Sequence, residues 1–321
     1  MQRINFRLYF TLMLMSLALS APLTAEKKNK DDNGSAANLP EVIWCDRGDV
    51  ASLNLFYGAG GEEHAPNPKS KFIFVKEDAE GTSPKFEVVD DQGVLWKVKL
   101  GQEPQSETAA TRLLWAAGYF VDEDYYMAEF RVMGLQKLHR GGKFVSEDGT
   151  IHRARLERKL KEEKKSGNWD WFDNPFVNKQ ELNGLRVMMS FLNNWDLKEV
   201  NNTIYEVNEE RWYVVSDTGA TLGNTGNLLT RSKSDAKDYA KSKFIGKTTP
   251  DFVDFVLHGR SNFEKVTKQI PRADVKWLAQ RLSQLSEEQI RDCFRAGGYT
   301  PEEVTVYTQA IQKRIAEMSA L

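Results

Sequence analysis

Three early segments are apolar or alternate apolar with polar residues: Phe72-Ile73-Phe74-Val75, Lys85-Phe86-Glu87-Val88-Val89 and Val94-Leu95-Trp96-Lys97-Val98-Lys99-Leu100. Runs of this length and composition predict strands, and Asp90-Asp91-Gln92-Gly93 predicts the turn between the second and third. In the third strand the two-residue period puts Trp96, Val98 and Leu100 on one face and Lys97 and Lys99 on the other. The period then lengthens. Residues 105–117 read as a helix ended by Gly118, with Glu107 in its first turn, and residues 185–192 as an apolar helix that stops at Asn193-Asn194. Residues 203–207 and 211–215 read as two strands joined by Asn208-Glu209-Glu210. From there the spacing of apolar residues predicts helices over 234–244, 250–257, 273–284, 287–296 and 301–318. Ser286-Glu287-Glu288-Gln289 and Thr300-Pro301-Glu302-Glu303 supply capping signals for the last two.

These elements predict an α+β fold of two lobes, a small antiparallel β lobe over 41–133 and a larger helical lobe over 134–321. Three segments are less regular. Residues 57–64 are Gly-rich and read as a lead-in loop, although such a turn can also cradle phosphate. Residues 153–165 are strongly charged and read as a solvated helix face. The aromatic stretch 167–176 is expected either to pack on the large lobe or to help bind a substrate.

The candidate chemistry flanks the second pair of strands. Asn194-Trp195-Asp196-Leu197-Lys198-Glu199-Val200-Asn201 leaves the apolar helix, and Ser216-Asp217-Thr218-Gly219 leaves the hairpin. A phosphoryl group in transfer needs positioning and charge neutralisation more than covalent help. An Asp with a Lys two residues on and an Asn five residues on, then an Asp beside a Gly, can supply both. Asp196 is the candidate to accept or orient the proton of an attacking hydroxyl, and Lys198 to offset charge on the transferred group. Asn201 and Asp217 are candidate ligands of Mg²⁺ or Mn²⁺, because a hard cation takes oxygen ligands and is held by few protein groups plus phosphates. Gly219 lets the chain bend sharply after the metal-binding Asp. Upstream, Lys99 or Lys97 would contact the phosphates of ATP, with Lys99 favoured and Glu107 as its partner. The loop Gly81-Thr82-Ser83-Pro84 offers N–H groups and the hydroxyls of Thr82 and Ser83 to the same phosphates. Ordinary turn chemistry competes with this reading, since Asp, Asn and Lys are common in loops and both lysines could be solvated edge charges. A lone Asp-Thr-Gly also occurs in aspartic proteases, which would require a homodimer.

On these residues the chain resembles the atypical kinases: the HipA toxin kinases, the phosphatidylinositol kinases and the secretory-pathway casein kinases of the Golgi. Asp196 with Asn201 is similar to the Asp-x-x-x-x-Asn of the first two, with Lys198 where they often place His. Asp217-Thr218-Gly219-Ala220-Thr221-Leu222-Gly223 is similar to the Asp-x-Gly-x-x-Phe-Gly of the secretory kinases, and Leu95-Trp96-Lys97 to their lysine strand. The Trp-x-Val-Lys and Asp-Leu-Lys blocks also resemble those of a group of bacterial secreted proteins. The resemblance spans about residues 70–225. It implies a kinase-like fold with a nucleotide in the cleft and transfer of the ATP γ-phosphate to a hydroxyl of a protein, lipid or carbohydrate. A Gly-rich phosphate loop, a His-Arg-Asp triplet and an Ala-Pro-Glu segment end are missing. The alternative is therefore an inactive kinase-fold module that binds a nucleotide or a partner in the cell envelope.

Composition adds location and excludes one partner. Arg3 and Arg7 precede the apolar run Leu8 to Leu19, and Leu23-Thr24-Ala25 offers a small residue before a polar stretch. Residues 1–25 thus read as a cleavable secretory leader and 26–40 as a flexible linker, giving a secreted or periplasmic protein with no stable membrane insertion after cleavage. The formal net charge is −2, and removal of Arg3 and Arg7 leaves 42 basic against 46 acidic groups, or −4. No basic footprint for nucleic acid remains. Cys45 and Cys293 read as small buried side chains whose pairing spacing alone cannot assign, and His64, His139, His152 and His258 lack metal-ligand spacing. N-terminal sequencing of the exported protein is expected to find a chain that begins near Glu26. An intact Met1 terminus in the membrane fraction would replace cleavage by anchoring.

Overall fold

The computed structural model describes residues 39–160, 163–227, 229–258 and 261–321. The expected leader and most of the expected linker lie outside them. A short strand β1 (Glu41–Val42) is followed by β2 (Phe72–Asp78), β3 (Lys85–Val89), β4 (Leu95–Leu100), helix α1 (Glu103–Ala116), β5 (Asp124–Met133) and β6 (Thr150–Arg158). Strands β2 to β6 close a barrel in the order β2-β3-β4-β6-β5. All its pairings are antiparallel except the closing one between β2 and β5, where Phe72 faces Val132 and Ile73 faces Met133. Closure leaves this sheet without a free edge.

Alternation fills the barrel. Trp96, Val98 and Leu100 point inward from β4 and pack with Phe72, Phe86, Val88, Phe130 and Leu156. The Trp96 indole N–H donates to Asp90 Oδ2 at 2.9 Å, and Asp90 Oδ1 accepts from the amides of Gln92 and Val94. One carboxylate therefore satisfies a buried ring and closes the turn before β4.

The charged stretch 153–165 is not a helix. Its described residues supply most of β6 and the start of β7 (Lys164–Asn168). Ile151, Ala154 and Leu156 enter the barrel core, while Arg155 and Glu157 face outward into ion pairs. Arg153, at φ 57°, breaks the two-residue period between Ile151 and Ala154, which hides the strand pattern in the sequence. The barrel spans the 133/134 division, with β5 on one side of it and β6 on the other.

The second half contains α2 (Gln180–Phe191), the hairpin β8 (Asn202–Val207) and β9 (Glu210–Val215), α3 (Ala236–Lys241), β10 (Ile245–Thr248), β11 (Phe252–Phe255), β12 (Ile270–Pro271), α4 (Arg272–Leu282), α5 (Glu287–Ala296) and α6 (Pro301–Ser319). Asn208 and Glu209 both take positive φ, the two-residue turn that matches strand twist. The hairpin sits in a four-stranded sheet ordered β1-β9-β8-β7. Residues expected as a helix over 250–257 instead form β11, the centre of a three-stranded sheet whose Val253 and Phe255 are buried. Alternate burial of so short a segment suits a strand, and its apolar spacing fits both periods. Capping boxes at Ser286–Gln289 and Thr300–Glu303 start α5 and α6 as expected. Trp169 and Trp171 of the aromatic stretch are buried in the helical core, and both cysteines are free thiols. Among the described residues no helix is long and apolar enough to cross a membrane.

Helix α1 joins the two halves. Twelve of its fourteen residues are buried, so it has no solvent face, and small residues such as Ser106, Thr108, Ala109 and Ala110 let neighbours approach on every side. Leu113 and Leu114 belong to the helical core, while Glu107 faces Arg155 of β6 at 3.4 Å. Arg155 also pairs with Asp124 at 3.1 Å and Glu157 at 2.7 Å. Replacing Arg155 by Met leaves three buried carboxyls without their shared cation and is expected to cost about 3–5 kcal/mol of unfolding free energy. Urea denaturation reads this directly. A loss under ~1 kcal/mol, as for an exposed pair, would mean that the cation does not hold the helix to the barrel.

Candidate active site

The site begins with two loops that are bonded to each other. Helix α2 ends when Asn193 turns left-handed, at φ 56°, and the Asn194 amide returns to Met189 O at 2.8 Å. The Leu222 amide then donates to Leu192 O at 2.8 Å, and Asn193 Nδ2 donates to Gly223 O at 2.6 Å. The loop after Asp217 is thereby laid along the loop before Asp196. In the hairpin Asn202 faces Val215, and the next amide out, that of Ser216, donates to Asn201 O at 2.9 Å. Register alone therefore brings Asn201 and Asp217 to the same end of β8 and β9.

Lys99 enters from β4 on the face opposite the barrel core. Its ammonium lies 2.8 Å from Glu103, 2.9 Å from Glu107 and 3.1 Å from Asp217 Oδ1. Lys97 instead faces Asp78 at 3.4 Å. Of the two lysines, it is Lys99 that lies beside Glu107. Burial alone would lower the Lys99 pKa, but Glu107, Asp217 and Glu103 together raise it above the ordinary lysine value. Burial pushes Glu107 up, with Arg155 and Lys99 offsetting only part of the rise. Burial would raise Asp217, but the charge and hydrogen bond of Lys99 together with the Gly219 amide hold it below the usual carboxylate range.

Lys97, Lys99, Glu107, Asn201 and Asp217 line one cleft of about 560 Å³. Asp196 does not line it directly. Its carboxylate pairs with Lys198 at 2.8 Å, and its backbone carbonyl accepts from Asn201 Nδ2 at 2.8 Å. Asp196 is thus one hydrogen bond from the cleft wall. Thr82 is exposed and not part of the lining, while Ser83 is engaged elsewhere, donating to Glu103 Oε2 at 2.8 Å. Gly81 and Glu80 line the cleft in their place.

The residues present suit a divalent cation. Both hydrogen bonds to the Asp217 carboxylate land on Oδ1, from Lys99 and from the Gly219 amide, which leaves Oδ2 open on a side chain that is 43% exposed. Fixing Asn201 Nδ2 on Asp196 O leaves the amide oxygen as its remaining donor atom. Two oxygens at one end of a hairpin match a cation that completes its shell with phosphate and water. Among the described residues no cluster of three or more His, Cys, Asp or Glu forms a metal cage.

Sequence reasoning missed Glu103. It bridges Lys99 to Lys233 at 2.5 Å, and an added Cβ at Gly219 would stand 2.7 Å from its Cβ. Close approach to Glu103, rather than a positive φ, is what Gly219 provides. The Ser106 hydroxyl donates to Gly219 O at 2.8 Å and closes the contact. The signal available was spacing, since Lys99, Glu103 and Glu107 follow one another at four-residue intervals.

A lysine from the third barrel strand, a helix glutamate beside it and two polar loops meeting beneath them complete the arrangement. The fold is kinase-like. No known protein family and no curated protein matches the chain. Among solved structures it is similar to a Helicobacter pylori proinflammatory kinase CtkA, at 11% identity and a TM-score of 0.46, covering 78% of this chain and 95% of that one. It is also similar to a Golgi casein kinase solved with Mn/ADP bound, at 9% identity and a TM-score of 0.45, covering 79% of this chain and 72% of that one.

Burial would raise Glu103, but Lys99 and Lys233 hold it at about 2 against an ordinary 4.5. Because the folded value is the lower one, the stabilisation is complete above pH ~4.5 and is lost as pH falls toward 2, about 3 kcal/mol in all. Glu103→Gln is therefore expected to flatten the acid limb of stability between pH 5 and pH 3 in denaturant titrations. An unchanged limb would remove Glu103 from the ionised network.

Proposed function

We propose that the protein is an exported phosphotransferase that moves the γ-phosphate of a nucleoside triphosphate, ATP being the expected donor, to a hydroxyl of a protein, lipid or carbohydrate. One observation carries the proposal. Lys99, anchored by Glu107, meets Asp217 in the cleft that Asn201 also lines. Phosphoryl transfer needs a cation for the phosphates, oxygen ligands for a divalent metal and an acceptor for the hydroxyl proton, all within reach of one triphosphate.

In this reading Asp217 and Asn201 hold Mg²⁺ or Mn²⁺, which neutralises charge on the phosphates when bound. Lys99 orients the inner phosphates. Asp196 accepts the proton as the acceptor oxygen bonds to the γ-phosphorus and the bond to the β-phosphate oxygen breaks. Lys198, paired to Asp196, keeps a cation beside the transferred group. The export part of the proposal rests on the leader-like sequence of residues 1–25.

A nucleoside triphosphate with Mg²⁺ or Mn²⁺ is expected to raise the melting temperature, by linkage worth about 2.7 kcal/mol at 100 times Kd. Asp217→Ala should abolish the shift. Asp196→Asn should keep most of it and suppress transfer by a factor on the order of 10² or more, because it preserves shape and removes the proton acceptor. Binding without turnover in the parent would make the protein an inactive kinase-fold module. No binding with either metal would end the nucleotide reading.

A further inference from the structure

The cleft of Lys99 and Asp217 extends to the connector between β6 and β7. Lys159, Leu160 and Glu163 line it there together with Tyr205 of β8 and Asp122. Leu160, Val200 and Tyr205 are the only apolar or aromatic side chains among the described residues that line the cleft. A base lying at this end would therefore be read by charged groups at its edge, with Leu160 and Tyr205 available to its faces.

Two of those groups lack a hydrogen-bonding partner. Asp122 is only 9% exposed, yet no described residue donates to its carboxyl. A ligand that brings a donor would give that carboxyl a hydrogen bond it lacks. Glu163 is half-buried, and no described residue donates to its carboxyl either. Lys159 pairs with Glu157 through one of its three N–H donors, which leaves the others free. This end of the cleft thus offers the cationic donor Lys159 and the two carboxyl acceptors Glu163 and Asp122.

That set of groups complements guanine. Guanine presents the O6 acceptor beside the N1–H and N2–H₂ donors, whereas adenine presents one amino donor beside the bare N1 lone pair, which a carboxylate repels. We propose that this end of the cleft reads guanine, with Lys159 donating to O6 and Glu163 and Asp122 accepting from N1–H and N2–H₂, so that GTP is preferred to ATP. The inference rests on the nucleotide-dependent reading above and sharpens its donor.

Burial raises Glu163 to about 7, with Lys159 pulling it down and Glu157 and Glu123 adding to the rise, so it is ionised at pH 8. Asp122 is raised by burial and by Glu157, Asp124 and Glu163, with Lys159 opposing, and keeps a carbonyl acceptor even when protonated.

Calorimetric titration of the purified protein at pH 8 with Mg²⁺ and GTP, ITP or ATP tests the assignment. GTP is expected to bind on the order of 10-fold or more tighter than ATP, the discrimination of one good bidentate base contact. ITP, which lacks the N2 amino group, should fall between them. Glu163→Gln and Asp122→Asn replace an acceptor by an amide that suits adenine, so each should shrink or invert the GTP preference. The ITP comparison needs no variant and stands if either substitution fails to fold. ATP bound as tightly as GTP by the parent would overturn the guanine assignment and leave the nucleotide reading intact. An unchanged GTP to ATP ratio in both variants would overturn the assigned residues. Binding of none of the three, with Mg²⁺ or Mn²⁺, would overturn both.

Discussion

A buried ammonium organises this protein. Lys99 is 4% exposed at its side chain and touches three carboxylates that arrive from different parts of the chain. Leaving such a charge unpaired would cost several kcal/mol, so each carboxylate must be delivered to within about 3 Å. Meeting that demand fixes the placement of α1, which carries Glu103 and Glu107. It also fixes the end of the β8–β9 hairpin, which carries Asp217. The barrel supplies the rigid platform, because β4 is hydrogen-bonded on both edges and its inward face is locked by Trp96 and Val98.

Arg155 does for the other side of α1 what Lys99 does for the cleft side. It holds Glu107 Oε1 while Lys99 holds Oε2, so one glutamate is gripped by cations from two adjacent strands. The helix cannot rotate about its axis without breaking one of these pairs. Its N-terminal turn is pinned separately by Ser106 to Gly219 O and by Glu103 to Lys233. Contacts of this kind link barrel, helix and loops into a unit whose geometry at the cleft is set by ion pairs rather than by apolar packing alone.

Much of this was legible in the chain. Strands β3, β4, β8 and β9 carry clean alternation or β-branched runs, and the caps of α5 and α6 are local signals that tertiary context does not alter. That Lys99, Glu107, Asn201 and Asp217 meet in one cleft was legible from residue types at fixed spacing around a hairpin. Strand β6 was not, since its outward residues are Arg and Glu, and composition cannot distinguish charges that face water from charges that face buried partners. Arg155 pairs with Glu107 and Asp124 across 48 and 31 residues, and no window-based reading contains both partners. Strand β11 failed for a different reason. Its four residues fit helical and strand periods equally, and only the flanking β10 and β12 decide between them.

The three carboxylates on Lys99 also constrain the order in which ligands could enter. Glu103, Glu107 and Asp217 occupy the three N–H donors of the ammonium they surround, so a triphosphate approaching first would find none of them to spare. A divalent cation approaching first would find the open oxygen of Asp217 and, by drawing that carboxylate toward itself, would weaken its hold on Lys99. Only then does the ammonium have a donor to spare for phosphate. Glu107 need not move, because Arg155 secures its other oxygen. Glu103 is the contact free to yield, since Lys233 and Ser83 can retain it after Lys99 turns. The same ion pairs that hold the two halves together would therefore make metal binding a precondition of productive nucleotide binding.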